Sequence, residues 1–451
     1  MLKTKRNLWP TMTSRILLPG GRLWVQGVRV ALCCALLLGS PLPVTAQQYE
    51  APATLKASQI VPQNLLSGPD YRIDEKVLND GFLNHYKINS KFGEFNAVSN
   101  ATLRKRIWEV RAMAEMEKVT GTKEFIDSFM ESGKKTLAGA KGLITHPIAT
   151  TQGAISGVAK VFKGAADSLF GAKRSEAEDS RLKDVIGFSK VKREYAYEFS
   201  VDVYSRNKPL QERLDKIAWA GYAGGMSMSA AMMPIGGAAG VAISVSRLSK
   251  TFNEIFRTTP PNELREQNAQ KLLAMGTNPD IVDLYINNVV FTPREQTLIV
   301  LALNEMAGTK NRGAFVKFAV PTNDPDMAGF RQRQAEMYTG YHRSVEPIQQ
   351  FVHFGRFVAA RASGNKLIIN VPLDHLVWTE AMAKLITRAN SLVDTMKWPT
   401  EKQFWVAGTV SPRAVKEMTR KGWKVFQQSE PLLLGTEKAY PKYEKTVGTP
   451  R

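Results

Sequence analysis

The chain has 451 residues, 61 Lys and Arg against 41 Asp and Glu, a formal net charge of +20 and 43% hydrophobic residues. The apolar fraction excludes a wholly disordered chain, and the length suffices for two or three domains with real cores. Its only cysteines, Cys33 and Cys34, are adjacent and near the start.

The opening stretch carries Lys3, Lys5, Arg6, Arg15, Arg22 and Arg29 with no acidic residue, and an uncharged apolar run follows over 30–39. Pro41 and Pro43 then precede Val44-Thr45-Ala46, whose small residues suit signal peptidase. The order predicts a Sec-type signal peptide over 1–46, cut after Ala46, and an exported protein of the periplasm or cell envelope. A run of about ten apolar residues falls short of the roughly twenty that span a bilayer. The basic part is long, so Met12 is an alternative start. Both cysteines leave with this segment, so a disulfide, a thiolate metal site and a cysteine nucleophile are excluded from the mature protein. Leu32 before Cys33 argues against a lipid anchor. The positive excess that remains points to anionic lipid or another envelope polyanion, or serves solubility alone; nucleic acid is not the expected partner outside the cytoplasm.

Residues 47–98 are mixed and turn-rich and read as an extended, linker-like segment. A Gly/Ala-rich helical region is predicted over 99–258. It begins after the cap pair Ser99-Asn100 with an apolar face of Leu103, Ile107, Val110, Met113 and Ala114. Between Gly133 and Lys173 small residues alternate with Lys134, Lys135, Lys141, Lys160 and Lys163, and Asp167 is the sole acid. Such a helix can lie in a head-group layer, with ammonium groups on phosphate; a loosely packed, solvated pair of helices is the favoured reading of the segment by itself. Residues 217–246 are uncharged between Lys216 and Arg247, but Pro234-Ile235-Gly236-Gly237 divides them. A buried helical hairpin is the favoured reading and a membrane-inserting segment the alternative.

A helical bundle is expected over 259–363. Asn262, Asn278-Pro279 and the capping box Thr292-Pro293-Arg294-Glu295 open its helices, and Asp324-Pro325 starts one long helix to about Ala362, kinked at Pro347. Over 364–451 strand and helix alternate. Residues 367–371, 404–407 and 423–426 read as strands, 379–392 as a helix, and Ser411-Pro412 as the cap of another helix ending at Gly422. The expected fold class is therefore mainly α: a helical bundle with Gly/Ala-rich hairpins and a small C-terminal β-α-β unit.

Chemistry is sparse. His342 and Glu346 share a helical face, with His353 seven residues beyond, but the spacing is not that of HExxH proteases and no metal or other cofactor is expected. Asp374-His375 with Glu380 offers a general base and an acid to orient it, although neighbours in a strand point apart and a helix-capping or turn role is the favoured reading. Ser411 lacks the glycines of a nucleophile elbow and reads as a cap. Arg331, Arg333, Arg343, Arg356 and Arg361 interleave with Phe330, Tyr338, Tyr341, Phe351 and Phe357, a polyanion-binding mixture or a core face backed by a basic face. The weak catalytic candidates are thus His375, His342 and Glu346.

Three stretches carry a resemblance. Val201-Asp202-Val203-Tyr204-Ser205 with Asn207 and Leu210-Gln211, Val371-Pro372-Leu373-Asp374-His375-Leu376 with Trp378-Thr379, and Gly408-Thr409-Val410-Ser411-Pro412-Arg413-Ala414 through Gly422-Trp423 resemble a loose group of exported bacterial proteins with no assigned activity. The resemblance implies an envelope protein and no mechanism. The resulting expectation is a noncatalytic exported protein whose basic Gly/Ala-rich region contacts anionic membrane or another envelope component. A periplasmic hydrolase and a protein inserted through 217–246 are the alternatives.

Overall fold

Short alternating stretches between Thr54 and Val98 build an antiparallel sheet in this computed structural model, which describes residues 48–123, 125–127, 130, 176–224, 244–245, 253–354, 357–395, 401–435 and 437–438. After β1 (Thr54–Lys56) come the single-turn helices α1 (Ala57–Ile60) and α2 (Gln63–Leu66), then β2 (Ser67–Gly68), β3 (Tyr71–Ile73), β4 (Lys76–Asn79), β5 (Asn84–Ser90) and β6 (Gly93–Val98). The strand order is β1-β4-β5-β3-β2, with β6 also paired to β5. Tyr71, Ile73, Val77, Tyr86 and Ile88 point into the core while Arg72, Lys76 and Lys87 face water, the period of two that pleating imposes. The linker-like reading of 47–98 is therefore corrected to a six-stranded sheet. Strands of two to seven residues separated by tight turns mimic irregular chain in composition.

Helix α3 (Asn100–Thr120) follows directly, its first turn capped by the Ser99 hydroxyl, which accepts from the Thr102 amide at 3.2 Å. Its buried face, including Leu103, Ile107, Val110, Met113 and Met116, packs with the sheet and with residues of α4 (Glu176–Glu198) and α5 (Lys208–Gly224), among them Tyr195, Leu210, Leu214 and Ile217. A two-residue strand, β7 (Ser244–Val245), precedes α6 (Asn253–Thr258), α7 (Pro261–Ala274), α8 (Pro279–Ile286), α9 (Pro293–Glu305), α10 (Gly313–Ala319) and α11 (Pro325–Ser344). The Thr292/Glu295 capping box forms as read: the Thr292 hydroxyl accepts from Glu295 N at 3.2 Å and Glu295 accepts from Thr292 N at 2.8 Å.

Helix α11 does not continue to Ala362. Pro347 lacks an amide donor and biases Glu346 towards extended backbone, so the chain leaves the helix and forms the antiparallel pair β8 (Ile348–Phe354) and β9 (Phe357–Ala362). Next come β10 (Lys366–Val371), β11 (His375–Leu376), α12 (Glu380–Thr395), β12 (Glu401–Val406), β13 (Thr409–Val410), α13 (Pro412–Arg420), β14 (Trp423–Phe426), α14 (Glu430–Leu434) and β15 (Glu437–Lys438), the last pairing with β7. The main sheet here runs β14-β12-β10-β9-β8; β10, β12 and β14 are parallel, while β9 is antiparallel to β10 and β8. Both its faces are covered. Leu367, Ile369, Phe404 and Val406 pack against Met382 and Ile386 of α12 and Met418 of α13, whereas Ile368 and Trp405 join Tyr338, Tyr341 and Phe351 on the side of α11.

The fold class is accordingly corrected from mainly α to mixed α/β. Described residues are 56% helical and 19% strand, with a six-stranded and a five-stranded sheet. The parallel strands and both crossover helices of the C-terminal unit lie where the alternation placed them. They belong to a larger sheet, however, because β8 and β9 had been assigned to the long helix.

Candidate functional site

In open parallel sheets, ligands and chemistry gather beyond the carboxyl ends of the strands, where loops diverge. Here that rim is formed by the segments after β10 and β12. They run side by side as the small parallel ladder β11/β13, with His375 opposite Thr409 and Leu376 opposite Val410. Gly408 admits the close approach: a Cβ there would lie 2.0 Å from the carbonyl oxygen of Asp374.

His375 Nδ1 is 2.7 Å from the Thr409 hydroxyl oxygen. Burial lowers the pKa of His375, against the opposing influence of Glu50, so the ring is neutral at neutral pH. Glu50 reaches this rim from the start of the described chain. Its carboxylate accepts from Trp378 N at 2.6 Å and from Ser411 Oγ at 2.5 Å. Ser411 also accepts from Ala414 N at 3.0 Å and so caps α13, the role read from its Ser-Pro context.

Asp374 does not orient His375. Its carboxylate turns to the other side and accepts from Asn84 N at 3.0 Å and from Asn100 N at 3.1 Å to each oxygen, closing the N-terminus of α3. Ser99 just before holds φ at 92°, a strained value for a residue with a side chain, and its amide is fixed to the Asn84 carbonyl at 2.8 Å. Beside Asp374 lie Arg104 of α3 and Arg333 of α11, both on one oxygen of Glu430 at 2.5 and 3.0 Å. Burial pushes Asp374 up to about 6, opposed by the two amides and the two arginines. Burial also raises Glu430, but there Arg333 and Arg104 prevail and hold it below its ordinary value. The cluster joins the N-terminal sheet, α3, α11 and the C-terminal unit. The Ser99-Asn100 cap was legible; its acidic partner 274 positions away was not, nor were Glu50, Thr409 and Glu430 as neighbours of the rim.

The other predicted groups are separated. His342 Nδ1 accepts from Ile348 N at 3.0 Å, and burial lowers its pKa. Glu346 instead takes Lys366 Nζ and the Tyr341 hydroxyl, each at 2.8 Å, with the Ser363 hydroxyl. Burial pushes Glu346 up, and these three partners hold it below the usual carboxylate range. These contacts involve the start of β10, opposite the end that leads to His375. Glu380 pairs with Lys384 at 2.7 Å. The His353 side chain lies outside the described residues, and among those described no group of three or more His, Cys, Asp or Glu could hold a metal ion.

The first predicted resemblance stretch is a joint. Asp202 pairs with Lys105 at 2.8 Å, Ser205 and Asn207 donate to the buried Glu109 at 2.5 and 2.9 Å, and Arg206 forks onto Glu295 with both contacts at 2.7 Å. Residues 1–46, Lys134, Lys135, Lys141, Lys160 and Lys163, and residues 225–243 of the uncharged stretch lie outside the described residues. Among the described residues, no helix is long and apolar enough to cross a membrane. No family model, curated protein or solved structure matches the chain.

Proposed function

We propose that this is a noncatalytic, exported envelope protein: a mixed α/β body that presents the basic Gly/Ala-rich stretch between α3 and α4 to an anionic lipid surface or envelope polyanion. The carrying observation is the charge pattern of 133–173, in which Lys134, Lys135, Lys141, Lys160 and Lys163 face a single acid, Asp167. Lysines grouped this way give an attraction that falls off within a Debye length, about 8 Å at physiological salt. What supports a noncatalytic body is the use of the predicted chemical groups as fasteners: His342 holds a backbone amide, Glu346 a lysine, and Ser411 a helix end.

The test is fractionation of cells expressing the tagged protein, with low-salt, high-salt and alkaline carbonate washes. Membrane association that high salt releases, and that is already lost at low salt when the five lysines are changed to Gln, is expected. Retention through carbonate would instead indicate insertion through 217–246, and recovery in the low-salt periplasmic fraction would sink both membrane readings.

One observation favours hydrolysis as a second reading. A hydroxyl and a neutral imidazole lie 2.7 Å apart at Thr409 and His375, the arrangement by which a base activates a nucleophile. Directly opposed residues in a ladder also touch for structural reasons alone. Activated-ester turnover that survives purification and drops at least about tenfold in both Thr409→Val and His375→Gln would favour the enzyme; unchanged turnover would remove it.

A further inference from the structure

Arg331 of α11 differs from the arginines around it. Arg333 and Arg104 share Glu430, Arg206 holds Glu295, and Arg343 lies 3.6 Å from Glu305. Among the described residues Arg331 makes no ion pair. Its guanidinium carbon sits 3.8 Å above the Phe318 ring and 5.8 Å from that of Phe330. Nη1 donates to Gln334 Oε1 at 3.2 Å, and Gln334 is itself fixed by donating to the Asn370 carbonyl at 2.9 Å. Nε is enclosed without an acceptor, and Nη2 has no acceptor among the described residues.

Magnitudes make this arrangement costly for stability alone. Drawing an ion largely out of water costs more, even after the protein relaxes, than stacking it on an aromatic face returns. Burial lowers the Arg331 pKa to about 10, a response of the same origin, yet the group stays charged at neutral pH. A shielded, oriented cation without a counter-charge is what a site for an external anion provides.

We propose that Arg331 anchors an oxyanion site, in which the outer edge of its guanidinium receives a carboxylate or phosphate group, Gln334 sets the guanidinium plane, and Phe318 and Phe330 flank it. The site is separate from the basic stretch 133–173 and does not rest on the reading given to that stretch.

The experiment is titration calorimetry of inorganic phosphate and of acetate, at constant chloride, into the purified protein and its Arg331→Lys and Arg331→Met variants. Thermal unfolding in chloride is followed in parallel. Saturable binding is expected in the wild type, about tenfold weaker or more in Arg331→Lys and lost in Arg331→Met. Arg331→Met, which keeps an apolar contact with Phe318, should unfold in chloride no earlier than the wild type. Vesicles of phosphatidylglycerol and of phosphatidylcholine separate the sources: Arg331-dependent binding to the anionic vesicles without a phosphate heat assigns the site to lipid headgroups, and the reverse assigns it to a small free anion. Absence of Arg331-dependent binding in every arm overturns the proposal. So does an Arg331→Met variant that unfolds earlier than the wild type in chloride, since that is the mark of a stacking role alone.

Discussion

Glu430→Gln tests the joint at the rim of the sheet with little change of shape. The wild-type carboxylate lies between two guanidinium groups, at 2.5 Å from Arg104 and 3.0 Å from Arg333, and all three side chains are only 18 to 21% exposed. Glutamine preserves volume and one acceptor oxygen, but it removes the negative charge and turns an amide donor towards a cationic pair. At an effective dielectric near 20, a unit-charge pair about 4 Å apart is worth about 4 kcal/mol. Two such pairs are lost, while the desolvation penalty of the carboxylate is relieved and residual water screens what remains. The net expectation is about 3 kcal/mol of destabilisation at neutral pH, at the lower end of what breaking a shielded pair costs. Urea unfolding of the wild type, Glu430→Gln, Arg333→Gln and the double variant measures it. The double variant should be less damaged than the sum of the singles by about 1 to 2 kcal/mol, because removing Arg333 relieves the charge stranded by the first change. A Glu430→Gln effect below about 0.5 kcal/mol, or strict additivity, would refute the assignment of this cluster as the joint.

Asp374 sets a pH signature. Its folded pKa of about 6 lies above the ordinary 3.8, so its contribution to stability is fully present below about pH 4 and is lost as the pH rises through 6. The amount is on the order of 2 to 3 kcal/mol, and the difference between wild type and Asp374→Asn in urea midpoint across pH 4 to 7 should trace it; equal slopes in the two proteins would contradict it. Gly340→Ala places a Cβ 1.5 Å from the Leu433 carbonyl oxygen, so α14 must shift and carry Glu430 with it. A loss of about 3 kcal/mol or more is expected, with failure to express as the extreme; normal stability would mean that α14 can move freely. Thr292→Ala removes one half of the α9 capping box and should cost about 1 kcal/mol by urea unfolding, without altering the Asp374 pH signature.

The legible parts of the fold were those specified locally. Thr292 and Glu295 are three residues apart and close a turn between themselves, and the cap Ser411 needs only its own helix. The run over 367–369 is apolar on both faces because both faces of β10 are covered, and that shows as a continuous string before Asn370. The N-terminal sheet was hidden for the opposite reason. Its partners alternate with charged positions over stretches as short as two residues, and no single strand shows enough period to stand out from turns. At 348–362 the aromatic spacing suited a helix as well as a strand, and Pro347 decided between them. The site was legible as residue types without partners. His375 was found, and Asp374, its neighbour in sequence, faces away and caps a helix as the alternation of strand residues suggested, but the hydroxyl that His375 meets comes from 34 residues downstream.

The same long-range contacts bear on how a charged stretch between α3 and α4 would be held. Helix α3 is fastened at its start by Asp374 and Ser99, and at its middle by Glu109, which receives Ser205 and Asn207 from the turn before α5. Arg206 of that turn reaches Glu295 on α9, so α3, α5 and α9 are tied through two adjacent residues. A pull on 133–173 by an anionic surface would therefore be resisted on the α3 side by the buried Glu109 with Ser205 and Asn207, contacts that salt screens poorly. The attraction itself would be salt-sensitive and its anchorage would not. Washing in high salt should accordingly detach the protein folded, with the stability effect of Glu430→Gln persisting at high salt while surface binding is lost; simultaneous loss of both would show that joint and surface draw on the same screened charges.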